Sequence, residues 1–488
     1  MKVEQLVIVG GGTSAWLTAA YLYHNHPAIS VTVIDKEVGN SIGVGEATLL
    51  NFEPFMAECG FEFQDWFTKI NGGYKTGIMF ANWQEQGNNI WHPFFKGNRR
   101  ITDQFHLWDI WSTVQDLDFK TYATGSYSAC VLHNTVDVTQ PVASHIDCGK
   151  LVLYIQDKLK DKIKIIKSEV ISVTKTDTAA VDLLVLKDGT QVTADLFVDC
   201  TGFHNILRKS KKRIDLQDRL FVNTAVVCQV PYQDRPSEFK PYAVCEAVDH
   251  GWIWKIGVSS RIGSGMVFNR TITSVEEAKQ YFVDHWDNRI RMENVRAINW
   301  DPFYNKDQWQ GNTVQIGLSG GFIEPLESTG IGLITVGITQ LSNALFEQWY
   351  SQGDVDNFNG QMNVLFEDCI DFVSMHYANN PRTSNFWNHV RDTFTPSDRM
   401  LHYLEQLTNP NIKVPVDSKF NYMFGGSSWT MCLQQLGYEI TPRNISYSAK
   451  TSRHILANNY IEYEKNKHVW SRKNSEEIDR LSELAKII

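Results

Sequence analysis

An α/β fold of the Rossmann type with a mainly helical C-terminal part is predicted by three observations. Near the N-terminus a buried strand runs straight into a glycine turn and a helix, over residues 5–22. Short apolar strands separated by glycine-bearing turns recur up to about residue 330. Beyond that point the apolar residues fall at helical spacing. The 488 residues, at about 150 per domain, point to roughly three domains' worth of structure or to one large domain with insertions. The expected division is a module over residues 1–330 with inserted β-rich elements, and a helical region over residues 331–488.

Composition narrows the function classes. The formal net charge is −9, which argues against a chain whose work is wrapping nucleic acid. No apolar run approaches the roughly 20 residues of a membrane-spanning helix. The N-terminus enters a strand pattern without the apolar core of a signal peptide, so a cytoplasmic protein without a membrane partner is expected. The eight cysteines are scattered, with no C-x-x-C, which indicates neither a metal site nor a disulfide framework. Aromatic residues make up 12% of the chain, enough to line an apolar cavity as well as fill a core.

Taken in order, residues 5–9 form the first strand, Gly10-Gly11-Gly12-Thr13-Ser14-Ala15 the turn, and the following apolar run the helix. A second strand ends at Asp35, 20 residues after Ala15. In this arrangement Gly10 and Gly12 permit a tight turn and close approach of a pyrophosphate, Thr13, Ser14 and Ala15 open the helix whose N-terminus favours phosphate charge, and Asp35 accepts ribose hydroxyls. Residues 183–190 read as a strand and hairpin turn. A further apolar strand ends in Asp199-Cys200-Thr201-Gly202. Residues 314–331 read as strand, glycine turn, proline-bearing loop and helix start, with Ser328 and Thr329 placed to cap that helix and the Gly330 amide placed to bind an anion. Helices are expected over residues 331–345, 363–377 and 399–406, and a solvated terminal helix from Glu462.

Several segments, in order, resemble the flavin-dependent halogenases of the tryptophan halogenase family. The carriers are Gly10 to Trp16, the run Ile42-Gly43-Val44-Gly45-Glu46-Ala47-Thr48, the Lys75 segment ending in Phe80-Ala81-Asn82-Trp83, Ser144-His145-Ile146-Asp147, residues 195–203, the run Gly251 to Gly257, and residues 320–331. The run Trp252-Ile253-Trp254-Lys255-Ile256-Gly257 is similar to the family's W-x-W-x-I-P signature, with Gly257 in the place of proline. Proline fixes φ, so glycine is expected to loosen this turn. Trp429 and residues 424–436 match the lid of tryptophan-specific members only loosely.

The resemblance implies an oxidoreductase that uses reduced FAD, supplied by a separate flavin reductase, with O2 and a halide ion as co-substrates. Halide is converted to hypohalous acid, which reaches a lysine beside the organic substrate. Lys75 falls at that lysine's position and Glu327 at the position of a carboxylate that polarises the oxidant or accepts the proton leaving the ring. Thr329 and Gly330 match the halide site. Gly45, Glu46 and Ala47 lie on a strap expected to cover the flavin, adding to the cofactor residues Gly10, Gly12, Thr13, Ser14, Ala15 and Asp35. The substrate pocket is expected to involve His106, Trp108 and Trp429, closed by the helical C-terminal region, and to take a free indole- or phenol-like molecule. Bromination and iodination are the easier oxidations, with chlorination open, and a homo-oligomer is compatible with this reading. A flavin monooxygenase and a non-catalytic FAD-binding protein are the competing classes, disfavoured by the tryptophan run and by the joint presence of Lys75 and Glu327.

Overall fold

The first strand, Gln5–Val9, is fully buried from Leu6 onward and lies inside a six-stranded sheet of a computed structural model. The structure describes residues 1–36, 45–94, 114, 134–136, 142–177, 180–408, 423–438, 448–470 and 472–484. The chain forms two compact units, interleaved along the sequence. Unit 1 comprises residues 1–71, 146–223 and 298–370, and unit 2 comprises residues 72–145, 224–297 and 371–488.

Unit 1 carries the Rossmann-type sheet. Gln5–Val9 pairs in parallel with Ser30–Asp35 on one side and Leu196–Asp199 on the other. Lys164–Lys167 and Thr313–Gln315 extend the parallel set, and Trp309–Gln310 adds an antiparallel edge. Strands buried on both faces read as continuous apolar runs, as Leu6 to Val9 and Leu196 to Val198 do. The helix Thr13–Asn25 buries every residue from Ala15 to Leu22. The helix Cys148–Leu159 is capped by Asp147, whose carboxylate accepts from the Lys150 amide at 3.1 Å. The hairpin read over residues 183–190 is present: Val181–Leu186 pairs antiparallel with Gln191–Val192. Its Leu184 and Leu186 join Val7, Val9, Ile34 and Phe197 in one apolar cluster.

Unit 2 is built on an antiparallel sheet in which Ala243–Val248, Gly251–Val258, Arg261–Phe268 and Thr224–Val230 lie side by side. Gly77–Ala81 joins it in parallel against Ala243–Val248, and Ile90–Pro93 closes that edge. Alternation along the strand Gly251–Val258 gives the sheet two apolar faces. Ile253 points into a cluster with Met266, Phe268 and the helix Val275–His285. Trp252 and Trp254 take the opposite face, 6.2 Å apart, where Trp252 donates to the Tyr377 hydroxyl at 2.9 Å and Trp83 packs on Trp387. The tryptophan run is therefore core structure, and the Trp252 indole ties the sheet to Tyr377.

Some boundaries differ from expectation. The helix read over residues 363–377 spans Gln352–Met375, and the one read over residues 399–406 spans Asp398–Thr408. The terminal helix is two, Ala449–Trp470 and Asn474–Leu484. Gly257 does not lie in a loose turn. It is inside the strand Gly251–Val258, and a Cβ there would stand 2.9 Å from Phe239 Cδ2 and 3.0 Å from the Tyr232 hydroxyl. Glycine at this position makes room for an aromatic pair.

Candidate functional site

In unit 1 the glycine turn follows directly from the first strand, and each glycine has its own reason. Gly10 takes φ +136°, and a Cβ there would stand 2.3 Å from the Cys200 carbonyl oxygen, so no other residue fits. A Cβ on Gly11 would meet the Asp35 carboxylate at 1.9 Å, while Gly12 faces open space. The turn thus brings Asp35, buried at the end of the second strand, beside the start of the helix at Thr13. The N-cap Gly12 has no side chain, so the first-turn N–H groups of that helix are available to an anion. Ser14 packs against Gly317, and Ala15 is fully buried. Open space over Gly12, uncapped donors and a carboxylate at the second strand end together fit a dinucleotide such as FAD.

The strap residues Gly45, Glu46 and Ala47 also belong to unit 1, with Glu46–Ala47 in extended conformation. The Glu46 carboxylate accepts from the Cys148 amide at 3.2 Å, which ties the strap to the N-terminus of the helix Cys148–Leu159. Burial and the Glu46 carboxylate push the Cys148 thiol well above its ordinary value, so it stays protonated. Ile42, Gly43 and Val44 lie outside the described residues.

The loop before the helix Thr329–Ala344 holds a feature that the sequence does not announce. Glu327 and Ser328 are both left-handed, at φ 63° and 60°. Two successive non-glycine residues in this region store strain of a kind found at functional sites. Glu327 and Thr329 are each 1% exposed. Ser328 is the N-cap but makes no side-chain capping bond, contrary to the expectation from sequence. A Cβ on Gly330 would meet nothing within 4 Å. The first turn of this 16-residue helix therefore presents uncapped N–H groups beside an open space at Gly330, which suits an anion such as halide.

In unit 2, Lys75 ends the strand Gly73–Lys75 and has no solvent exposure. The next residue locks the corner: both the amide and the hydroxyl of Thr76 donate to the Pro241 carbonyl at 2.7 Å, and the Thr76 carbonyl accepts from the Phe94 amide at 2.8 Å. The Lys75 ammonium lies 4.5 Å from the Phe94 ring centroid, a cation–π distance. Across the ladder, His145 is fully buried, and its Nδ1 is 3.0 Å from the Gly257 carbonyl. A carbonyl only accepts, so Nδ1 carries the proton. Burial, with the Lys75 charge adding to it, pushes this imidazole down to about 3. The ring is neutral.

Trp429, read as a pocket residue, is 2% exposed in the helix Gly426–Gln435 and meets Phe372 edge to face at 5.2 Å. Phe372 stacks on Phe424 at 3.9 Å, and His92 lies 5.5 Å from Phe372 while its Nε2 is 2.9 Å from the Ser428 hydroxyl. Gln435 binds the Trp91 backbone through both ends of its amide, which pins this helix to the strand Ile90–Pro93. His106 and Trp108 lie outside the described residues. The sequence reading did not single out Thr76, Phe94 or His92. Thr76 and His145 fall within segments that carry the family resemblance, whereas Phe94 and His92 do not.

Comparison with known proteins accords with this layout. The tryptophan halogenase family profile matches residues 5–453. The tryptophan 6-halogenase SttH of Streptomyces toxytricini is 30% identical over 438 residues, covering 80% of this chain and 82% of that protein. The tryptophan 7-halogenase RebH of Lentzea aerocolonigenes is 28% identical over 417 residues, covering 79% of this chain and 78% of that protein. Among solved structures, the flavin-dependent halogenase Xcc4156 of Xanthomonas campestris superposes with a TM-score of 0.88 at 23% identity, covering 99% of both chains.

Proposed function

The chain belongs to the tryptophan halogenase family of flavin-dependent enzymes, and from that membership we propose that it is an FADH2-dependent halogenase acting through Lys75 on an electron-rich aromatic small molecule. The observation that carries the reading is Lys75 itself: a lysine with no solvent exposure, fixed at a locked strand corner over an aromatic ring. Lysine is almost never fully buried without a task for its charge.

The cofactor would be held by Gly10, Gly12, Thr13, Ser14, Ala15 and Asp35, with Gly45, Glu46 and Ala47 as the strap. When bound there, reduced FAD from a separate flavin reductase would supply, with O2, the oxidising power that turns halide into hypohalous acid. The backbone N–H groups at Thr329 and Gly330 hold the halide at a helix N-terminus. The Lys75 ammonium donates a hydrogen bond to the oxygen of hypohalous acid and fixes its halogen toward the ring carbon. Glu327, on a strained loop that limits its freedom, accepts the proton that the ring loses as the carbon–halogen bond is completed. The substrate reading is a free indole- or phenol-like molecule, supported by the tryptophan named for the relatives. Bromide and iodide are taken more readily than chloride. Among the described residues, no helix is long and apolar enough to cross a membrane, and a cytoplasmic enzyme is the reading adopted.

The test is an aerobic incubation of the purified chain with FAD, a flavin reductase, NADH, a panel of indoles and phenols and each halide in turn, read by mass spectrometry, with Lys75→Ala alongside. Halogenated product from the parent chain and none from the variant is expected. Hydroxylated product, or NADH consumption without any modified substrate, would replace the halogenase reading with a monooxygenase or a degenerate FAD binder.

A further inference from the structure

We propose that His145 is a positioning residue for Lys75, its Nε2 accepting a hydrogen bond from the lysine Nζ and so aiming the ammonium at hypohalous acid. The proposal rests on the functional reading just given and deepens it. Its ground is the ladder between Gly73–Lys75 and Ala143–Ile146, in which Lys75 stands opposite Ala143 and Gly73 opposite His145. Residues two apart on a strand share a face. Lys75 and His145 therefore project from the same face as diagonal neighbours, with backbones about 7–8 Å apart, within reach of a long side chain. Gly73, directly across from His145, has no side chain to fill the space between them, and could not carry one: a Cβ would stand 2.7 Å from the Gly257 oxygen.

The chemistry of the ring completes the argument. The Gly257 carbonyl fixes the proton on Nδ1, which leaves Nε2 a bare acceptor. Among the described residues that Nε2 is buried and meets no hydrogen-bond partner. A buried acceptor next to a cation is the natural terminus for one of its three N–H donors, the other two remaining for further partners. Nζ lies 4.5 Å from the Phe94 ring centroid, and the proposed contact forms by rotation about its four-carbon stem. The low basicity of the ring supports the same picture, because an imidazole that stays neutral can accept and does not repel the ammonium.

His145→Asn and His145→Gln separate this role from a structural one. Asparagine retains a donor near Nδ1 for the Gly257 carbonyl and removes the distal acceptor. Glutamine places a carbonyl oxygen near Nε2. The purified full-length variants are assayed with FAD, flavin reductase, NADH and bromide, recording brominated indole per NADH oxidised and, with indole omitted, hypobromous acid captured by a soluble scavenger. The expected result is that His145→Asn loses at least tenfold in brominated indole while scavenger bromination persists, and that His145→Gln recovers most of the loss. Brominated indole from His145→Asn within twofold of the parent overturns the proposal, as does an equal fall in both variants. If the asparagine variant does not fold, the glutamine variant decides: near-parent yield supports the role, and a tenfold loss overturns it. A parent chain that makes neither brominated indole nor scavenged oxidant overturns the functional reading, and this inference with it.

Discussion

Gly257→Ala is expected to destabilise unit 2 by about 1–3 kcal/mol. The new methyl would stand 2.9 Å from Phe239 Cδ2 and 3.0 Å from the Tyr232 hydroxyl, whereas carbon contacts are comfortable at about 3.5–4.0 Å. Neither neighbour can retreat freely. Phe239 has no solvent exposure and is wedged between Gly257 and Gly73, where a Cβ would stand 2.9 Å from its ring. The Tyr232 hydroxyl donates to the Val258 carbonyl at 2.7 Å. Overpacking of this kind costs about 1–3 kcal/mol, and loosening the tyrosine bond adds about 0.5–1.5. The lower entropy of the unfolded alanine chain returns about 0.4–1. The assay is urea unfolding followed by tryptophan fluorescence, where the midpoint should fall at unchanged slope. Phe239→Leu in the Gly257→Ala background should recover a substantial part of the loss, a coupling expected only of residues in contact. An unchanged or raised midpoint for Gly257→Ala, or strict additivity of the two changes, would refute the packing account. Gly257→Pro carries the same Cβ and is expected to cost at least as much.

Three further outcomes are expected. Glu327→Gln keeps the shape and removes the base, so halogenation should fall about 10²–10⁴-fold with FAD binding unchanged; a loss of under about fivefold would exclude Glu327 as the proton acceptor. Gly10→Ala drives a Cβ to 2.3 Å from the Cys200 carbonyl at a φ of +136°, and fluorescence titration should show FAD binding weaker by more than about tenfold, or about 1.4 kcal/mol; an unaltered Kd would show that the turn is not the cradle. His145 titrates at 6.5 unperturbed and at about 3 in the fold, so below pH 6.5 the unfolded chain takes up a proton that the folded chain refuses, and stability is lost as pH falls through that window. His145→Asn should flatten the fall by up to about 1.4 kcal/mol per pH unit, and urea midpoints that track the parent from pH 6.5 to 4 would disprove a neutral buried ring.

What the sequence made legible was local. Strand, glycine turn, helix, strand and acid lie within residues 5–35, so their order alone specified the start of the Rossmann-type sheet. The helix at Thr329 was equally plain from its apolar spacing. The left-handed backbone just before it was not, because Glu327 and Ser328 are residue types that give no sign of positive φ. The helix Gln352–Met375 was read eleven residues short at its start. Gly353, Asp354, Asp356 and Gly360 are poor helix formers, and they hid the stripe Val355, Phe358 and Met362 that the fold buries. Gly257 was misread for a different reason. Its fit depends on Phe239 and Tyr232, from a separate segment, and no local pattern reports a three-dimensional gap. The pairing of Lys75 with Ala143, across a long excursion of chain, was likewise invisible until register was known.

The interleaving of the two units bears on how the protein is made. The strand Gln5–Val9 can meet Ser30–Asp35 early, but its neighbour on the other edge, Leu196–Asp199, follows only after about 190 further residues have been synthesised, on the order of 10–40 s at translation speeds of about 5–20 residues per second. Its sheet is not complete until Thr313–Gln315 emerges. During that interval the apolar edge of a strand meant for the middle of a sheet has no mate, which makes the nascent chain a natural client for holding chaperones. The same threading means that no single cut releases either unit whole. Recombination with a relative by exchanging one contiguous half would mix strands of both, and chimeras are best built by changing loops within a unit.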